Sequence, residues 1–168
     1  MLVVDRCRWN GKDCAFKRID FGPCVSSVGR DIKSRETLIE AMNHDGEQHR
    51  NADEIMEERF NIPPILAVVN IEDDDGSHAV KGILMPFGGQ DLEMLRESAS
   101  GSTTSPSRSA DLGITIEQLR DLTRGVRELA RAGVIHGDIV DRNILKKPTG
   151  VATADGTQQY RLVLIDLG

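Results

Sequence analysis

Apolar and polar residues alternate over the first twenty positions in the pattern that is typical of two short β-strands. Residues 2–9 alternate, and residues 13–19 resume the pattern after Asn10-Gly11. Asn-Gly favours a two-residue hairpin turn because both residues tolerate a positive φ. The chain is therefore predicted to begin with a β-hairpin, which is followed by a Gly-, Pro- and Ser-containing loop over residues 21–28.

Helical periodicity appears at residues 30–43 and 116–132, and the mostly polar segment 52–60 is a candidate short helix. The apolar face of the first helix is predicted to contain Ile32, Leu38, Ile39 and Met42. The last helix has the clearest boundaries, since Thr115 and Gln118 form a capping box and Gly133 provides a stop. The buried stripe of that helix is predicted to be Leu119, Leu122, Val126 and Leu129.

The other apolar segments predict strands. Residues 65–71 and 78–87 flank an Asp-Asp-Asp-Gly turn and predict a second hairpin, while residues 134–147 predict two short strands around a loop. A polar turn over 148–158 and a final strand over 160–165 complete this part. A short helix is expected at residues 91–97, and the Ser/Thr-rich segment 98–109 predicts a mobile linker. This order indicates an α+β fold in two parts, divided near residues 87–91.

Composition narrows the class of function. The 168 residues are 39% apolar and 29% charged, with a net charge of −6, which indicates a globular chain and disfavours a dedicated nucleic-acid binder. Phosphates of a nucleotide remain possible ligands, because carboxylates can hold the accompanying magnesium. Apolar runs are too short for a membrane span. Cys7, Cys14 and Cys24 are expected to be reduced structural thiols in a cytoplasmic or nuclear protein.

Three short motifs carry the candidate chemistry. They are HGDIVDRNIL at residues 136–145, DLG at 166–168 and CAFK at 14–17. In these motifs the sequence resembles the eukaryotic protein-kinase-like family, whose catalytic loop, metal-binding triplet and third strand read His-Arg-Asp-x-x-x-x-Asn, Asp-Phe-Gly and Val-Ala-Ile-Lys. Kinase-like proteins of filamentous fungi with a His-Gly-Asp loop are similar in this respect.

The resemblance implies an ATP- and magnesium-dependent phosphotransferase and gives catalytic roles to three residues. Asp138 would orient the substrate hydroxyl and accept its proton. Lys17 would place a positive charge on the α- and β-phosphates, and Arg142 would supply a further positive charge in the loop. His136 is expected to pack beneath the loop rather than to react.

The same resemblance implies a nucleotide and metal site. Asn143 and Asp166 would hold magnesium, and Gly168 would allow the backbone to turn after the carboxylate. Met85 would line the adenine pocket beside a hinge that includes Gly88. Glu36 would pair with Lys17, with Glu40 as the other candidate. Each feature also has an ordinary interpretation, since isolated Asp and Asn residues cap turns and helix glutamates are mostly exposed.

The implied architecture is an incomplete protein-kinase-like fold. Residues 1–87 would form a small β-rich lobe with one main helix, lacking a first strand and a glycine-rich loop, and residues 88–168 would form the hinge and the first part of a helical lobe. Gly137 replaces the usual arginine, Val140 a common lysine and Leu167 the usual phenylalanine. Loss of that arginine disfavours control through a phosphorylated activation loop.

The resemblance leaves three functions open. The first is phosphorylation of a protein Ser, Thr or Tyr by ATP, with the protein substrate unidentified. The second is an inactive pseudokinase or kinase remnant that binds nucleotide or a partner. The third is a small-molecule kinase of the aminoglycoside or choline type, which the Asp-Leu-Gly triplet and Ala-x-Lys disfavour. None of these implies a nucleic acid or a membrane as a partner.

Overall fold

A computed structural model describes residues 3–18, 24–46, 51–72, 78–100 and 112–167. These residues form an α+β fold with antiparallel sheets, as the sequence predicts. The strands are β1 (Val3–Trp9), β2 (Lys12–Arg18), β3 (Ala67–Glu72), β4 (His78–Pro86), β5 (Gln90–Asp91), β6 (Ile144–Ala152) and β7 (Gln158–Leu164). The helices are α1 (Cys24–His44), α2 (Ala52–Phe60), α3 (Leu92–Ser100) and α4 (Ile116–Arg131), with a 3-10 turn at Asp141–Asn143.

The first sheet has the order β1-β2-β4-β3 and is antiparallel throughout. Both predicted hairpins are confirmed within the described residues. Asn10 and Gly11 have φ values of 50° and 76°, so the Asn-Gly turn adopts the left-handed conformation that its sequence favours. β2 lies inside this sheet, between β1 and β4, and is therefore hydrogen-bonded on both edges.

The second sheet, β5-β6-β7, is larger than expected. The predicted polar turn over 148–158 is wrong at both ends, because β6 continues to Ala152 and β7 begins at Gln158. The outer part of the β6–β7 hairpin, residues 148–160, is exposed on both faces. Its sequence therefore has no alternation of apolar and polar residues that would indicate the strands. The strand expected after residue 134 does not form, and residues 134–140 are a loop.

Helix α1 begins earlier than its periodicity indicates. Residues 24–28 belong to the helix rather than to the predicted loop, while residues 21–23 lie outside the described part. Val28 packs in a cluster with Ile83 and Met85 of the sheet, and this tertiary contact favours the extra helical turn. Ile39 was expected on the buried face but is 40% exposed.

The capping box of α4 is confirmed, since Gln118 N donates to Thr115 Oγ1 and Thr115 N donates to Gln118 Oε1. Leu122 and Leu129 are buried as predicted, whereas Leu119 is 49% exposed. Helix α3 continues to Ser100, so the first residues of the predicted linker are helical. The rest of that linker lies outside the described residues.

The main apolar cluster joins the two halves of the chain. It includes Leu38 from α1, Phe60 from α2, Leu129 from α4 and Leu164 from β7. The division near residues 87–91 stays a prediction. No helix in the described part of the chain is both long and apolar enough to cross a membrane.

Candidate functional site

Lys17 lies in the middle of the first sheet, opposite Val4 of β1 and Ile83 of β4. Its side chain is only 2% exposed, so its ammonium requires charged partners. Nζ lies 3.2 Å from Asp31 Oδ2 and 2.6 Å from Asp166 Oδ1. The contact with Asp166 joins residues 149 positions apart and thus brings two of the three motifs together.

Asp31, on α1, is the carboxylate on the helix that pairs with Lys17. It is fully buried and also accepts a hydrogen bond of 2.8 Å from Arg35 Nε. Arg35 is itself buried and donates to the backbone carbonyl of Pro63. Lys17 thus contacts both Asp31 and Asp166, and Arg35 contacts Asp31. The two cations balance the charge of the two carboxylates.

The expected partners of Lys17, Glu36 and Glu40, are both exposed, and the prediction that Glu36 pairs with Lys17 is wrong. The buried face of α1 runs through Asp31, Arg35, Leu38 and Met42. This spacing of four, three and four is the helical repeat. A charged pair four residues apart in line with two buried apolar residues is a signal in the sequence, and it would have indicated Asp31.

Asp166 follows β7 and has a φ of 66°, a conformation that aspartate adopts more readily than most residues. Its side chain is 29% exposed, so one side of the carboxylate meets Lys17 while part of it faces solvent. Leu167 is buried and anchors the chain immediately after it. Gly168, the expected turn residue, lies outside the described residues.

Residues 136–143 form a compact loop around the Asp138 carboxylate. Asp138 Oδ2 accepts hydrogen bonds from Arg142 Nη2 at 2.9 Å and from Asn143 Nδ2 at 3.0 Å. The same Asn143 amide nitrogen donates to the backbone carbonyl of Asp138 at 2.9 Å. Asn143 is buried, whereas the Asp138 and Arg142 side chains are 47% and 57% exposed. The loop therefore presents one restrained but accessible carboxylate.

Two contacts attach this loop to the end of β7. His136 Nε2 lies 2.9 Å from the carbonyl oxygen of Ile165, and Ile165 N donates to the carbonyl of Asn143 at 3.0 Å. A carbonyl can only accept, so His136 carries its proton on Nε2 in this contact. The buried His136 is thus a support of the loop, as predicted. Gly137, with a φ of 78°, allows the sharp backbone turn before Asp138.

Met85 and Gly88 lie where β4 leaves the first sheet. Met85 is opposite Ala15 of β2 and is buried in the cluster with Val28 and Ile83. A Cβ atom at Gly88 would clash with the Leu145 side chain, so the backbone passes directly against β6. The backbone N–H of residue 87 donates to the carbonyl of Asp13, which fixes this crossing to β2.

The chemistry of the donor set suits magnesium, which prefers carboxylate and carbonyl oxygens. Asp166 supplies a carboxylate, and Asn143, linked to it through Ile165, supplies an amide oxygen. Among the described residues no group of three or more His, Cys, Asp or Glu side chains is placed to hold a metal. A magnesium ion here would therefore need further oxygen ligands from phosphate and water.

In comparisons with known proteins, no protein-family model and no curated protein sequence matches the chain.

Proposed function

We propose that the chain is an ATP- and magnesium-binding phosphotransferase domain of the protein-kinase-like family, acting on a protein hydroxyl. The observation that carries the proposal is the contact of Lys17 with both Asp31 and Asp166. Three motifs that are distant in sequence come together there, because Ile165, the residue before Asp166, is hydrogen-bonded to the 136–143 loop. The proposal includes the finer architecture, a β-rich small lobe followed by part of a helical lobe.

Phosphoryl transfer depends mainly on positioning and on neutralising charge. Lys17 is held on the sheet by Asp31 and presents one positive charge towards Asp166. Asp166 and Asn143 are the residues that would hold magnesium, which when bound neutralises phosphate charge. Asp138 would orient the substrate hydroxyl and accept its proton through the carboxylate oxygen that is not engaged by Arg142 and Asn143.

Asp138 also supports the alternative, a catalytically inactive module that binds nucleotide or a partner. Two donors already engage Oδ2 of this carboxylate, and Arg142 supplies a full positive charge at 2.9 Å. One of the two carboxylate oxygens is thus already engaged, which leaves Oδ1 for a substrate hydroxyl. The form of this module that binds nucleotide would share Lys17 and Asp166 with the enzyme, so those two differ only in turnover.

Calorimetric titration of ATP, with and without magnesium, tests the shared part. Asp166→Asn keeps the size of the side chain and removes its charge, and should weaken magnesium-dependent binding by about tenfold or more, or ~1.4 kcal/mol. Asp138→Asn is the matched control and should change the affinity by less than about twofold, since its role is with the hydroxyl.

Equal losses in the two variants, or binding that ignores magnesium, would contradict these role assignments. A wild-type chain that binds no nucleotide would contradict the phosphotransferase proposal and would favour the inactive module that binds a partner. Transfer of the ATP γ-phosphate to a test protein, abolished by Asp138→Asn, separates the enzyme from the inactive module.

A further inference from the structure

Cys7 and Cys14 face each other across the first hairpin. The register of β1 and β2 places them directly opposite, and both are free thiols. Directly opposed residues of antiparallel strands have Cα atoms roughly 4.5–5.5 Å apart and side chains on one face. Disulfides span Cα distances of about 4.4–6.8 Å, so the backbone already holds the two cysteines at bonding distance.

The two thiols differ in access. Cys14 is fully buried, and its Sγ lies 3.5 Å from the carbonyl of Lys12, whereas Cys7 is partly exposed. A dissolved oxidant therefore reaches Cys7 first, and Cys14 is the nearest thiol to complete the reaction. The register cannot slip easily, because the Asn10-Gly11 turn fixes one end of β2 and pairing with β4 fixes its other edge.

We propose that Cys7 and Cys14 form a reversible modification site, at which a small disulfide such as oxidised glutathione generates an intramolecular Cys7–Cys14 bond. The Cys7 thiolate attacks one glutathione sulfur, which forms a mixed disulfide and releases one glutathione thiolate. Cys14 then loses its proton and attacks the Cys7 sulfur, which forms the Cys7–Cys14 bond and releases the second glutathione. Two protein thiols are oxidised and one glutathione disulfide is reduced.

The bond covalently ties β1 to the strand that carries Lys17. Cys14 and Lys17 are three positions apart on β2 and hence point to opposite faces of the sheet. The modification therefore leaves the Lys17 face open. It rests on the hairpin alone and is independent of the proposed phosphotransfer.

The test uses the full 168-residue chain and oxidised glutathione. Burial first, and then the neighbouring Cys14 and Asp5, raise the pKa of Cys7, so the reaction is run at about pH 8.5 to supply thiolate. After alkylation of the remaining thiols, trypsin separates the three cysteines, because Arg6, Arg8, Lys12 and Lys17 provide cleavage sites. The cysteine-containing peptides are residues 7–8, 13–17 and 19–30.

The folded chain should lose about 2 Da and yield the 7–8/13–17 linked peptide at least about tenfold above any linkage to Cys24. In denaturant the three pairings should fall within about threefold of one another, since loop entropy changes only slowly with loop length. Cys24→Ser should keep the linkage and Cys7→Ser should abolish it.

Three results would overturn the proposal. The first is a stable glutathione adduct on Cys7 with Cys14 still a free thiol. The second is a folded chain that couples Cys24 as readily as it couples Cys7 to Cys14. The third is a folded chain that remains fully reduced under conditions that oxidise the denatured chain. All three are read on the wild-type protein, so the test does not depend on a variant that folds poorly.

Discussion

The two ends of the candidate site use the same kind of contact in opposite surroundings. At one end, Lys17 and Asp31 are 2% and 0% exposed, and Arg35 completes the buried group. At the other end, Arg142 and Asp138 are 57% and 47% exposed. A buried ion pair is held rigidly and is costly to break, whereas an exposed pair contributes little to stability and exchanges partners readily. The lysine end is thus held rigidly, and the aspartate end is accessible to solvent.

Asp166 connects these two ends. Its carboxylate contacts the buried Lys17 and is itself partly exposed, and its strand is hydrogen-bonded to the Asp138 loop through Ile165. This intermediate exposure suits the proposed role, in which Asp166 holds the lysine and also offers oxygen atoms to magnesium.

The buried end should show the largest effect on stability. Asp31→Asn removes one of two carboxylates that balance Lys17 and Arg35, and breaking such a buried group costs about 3–5 kcal/mol in the free energy of unfolding. Glu36→Gln, on the exposed side of the same helix, should stay within about 0.5 kcal/mol. Urea denaturation of both variants measures the difference, and equal effects would contradict the burial contrast.

The support of Asp166 should show an intermediate effect. Gly125 of α4 packs against Asn61, and a Cβ there would lie 2.6 Å from Asn61 Oδ1 and 2.8 Å from the Phe60 carbonyl. The backbone carbonyl of Asn61 in turn accepts a hydrogen bond from the backbone N–H of Leu164, which ends the strand before Asp166. Gly125→Ala should therefore destabilise the chain by about 1–3 kcal/mol.

Gly29→Ala is the matched control for Gly125→Ala. It is also a helical glycine, but nothing lies within 4 Å of its added Cβ. Removing a glycine from a helix without a clash should stabilise the chain by up to about 1 kcal/mol. Thermal unfolding should hence shift in opposite directions for the two variants, and a shift in the same direction would count against the close packing at Asn61.

The exposed end should show the smallest effect on stability. Arg142→Gln breaks a solvated ion pair, so the free energy of unfolding should change by less than about 1 kcal/mol. Salt should screen this change further. A loss comparable to that of Asp31→Asn, measured by the same urea denaturation, would show that the two ends are alike.

Local sequence rules predicted the parts of the fold that depend on few residues. The Asn10-Gly11 turn and the Thr115–Gln118 capping box are fixed by neighbours in the chain, and both occur as predicted. The early start of α1 depends on Val28 meeting the sheet, and the outer β6–β7 ribbon has no buried face to leave a pattern. The local sequence therefore indicates neither the start of α1 nor the outer part of β6 and β7.

The site was predictable where a motif marks it, and the helical repeat of α1 could have added Asp31. Lys17, Asp166 and Asn143 were identified through the motifs that resemble the kinase-like family, and the structure joins them through direct or neighbouring contacts. Asp31 was missed because a start of α1 near residue 30 placed it at the helix terminus, where an acidic residue is ordinary. The helical repeat that joins it to Arg35, Leu38 and Met42 was nevertheless present in the sequence.

The central claim, that Lys17 faces bound nucleotide phosphates, is tested most directly by an acyl phosphate of ATP, which acylates a lysine amine beside the phosphates it binds. With magnesium, peptide mapping should find the acyl group on Lys17, and excess ATP should suppress this labelling by about tenfold or more. Lys33, exposed on α1, is the internal control and should label without protection by ATP. An unlabelled Lys17, or equal labelling of Lys17 and Lys33 in the presence of ATP, would contradict the account.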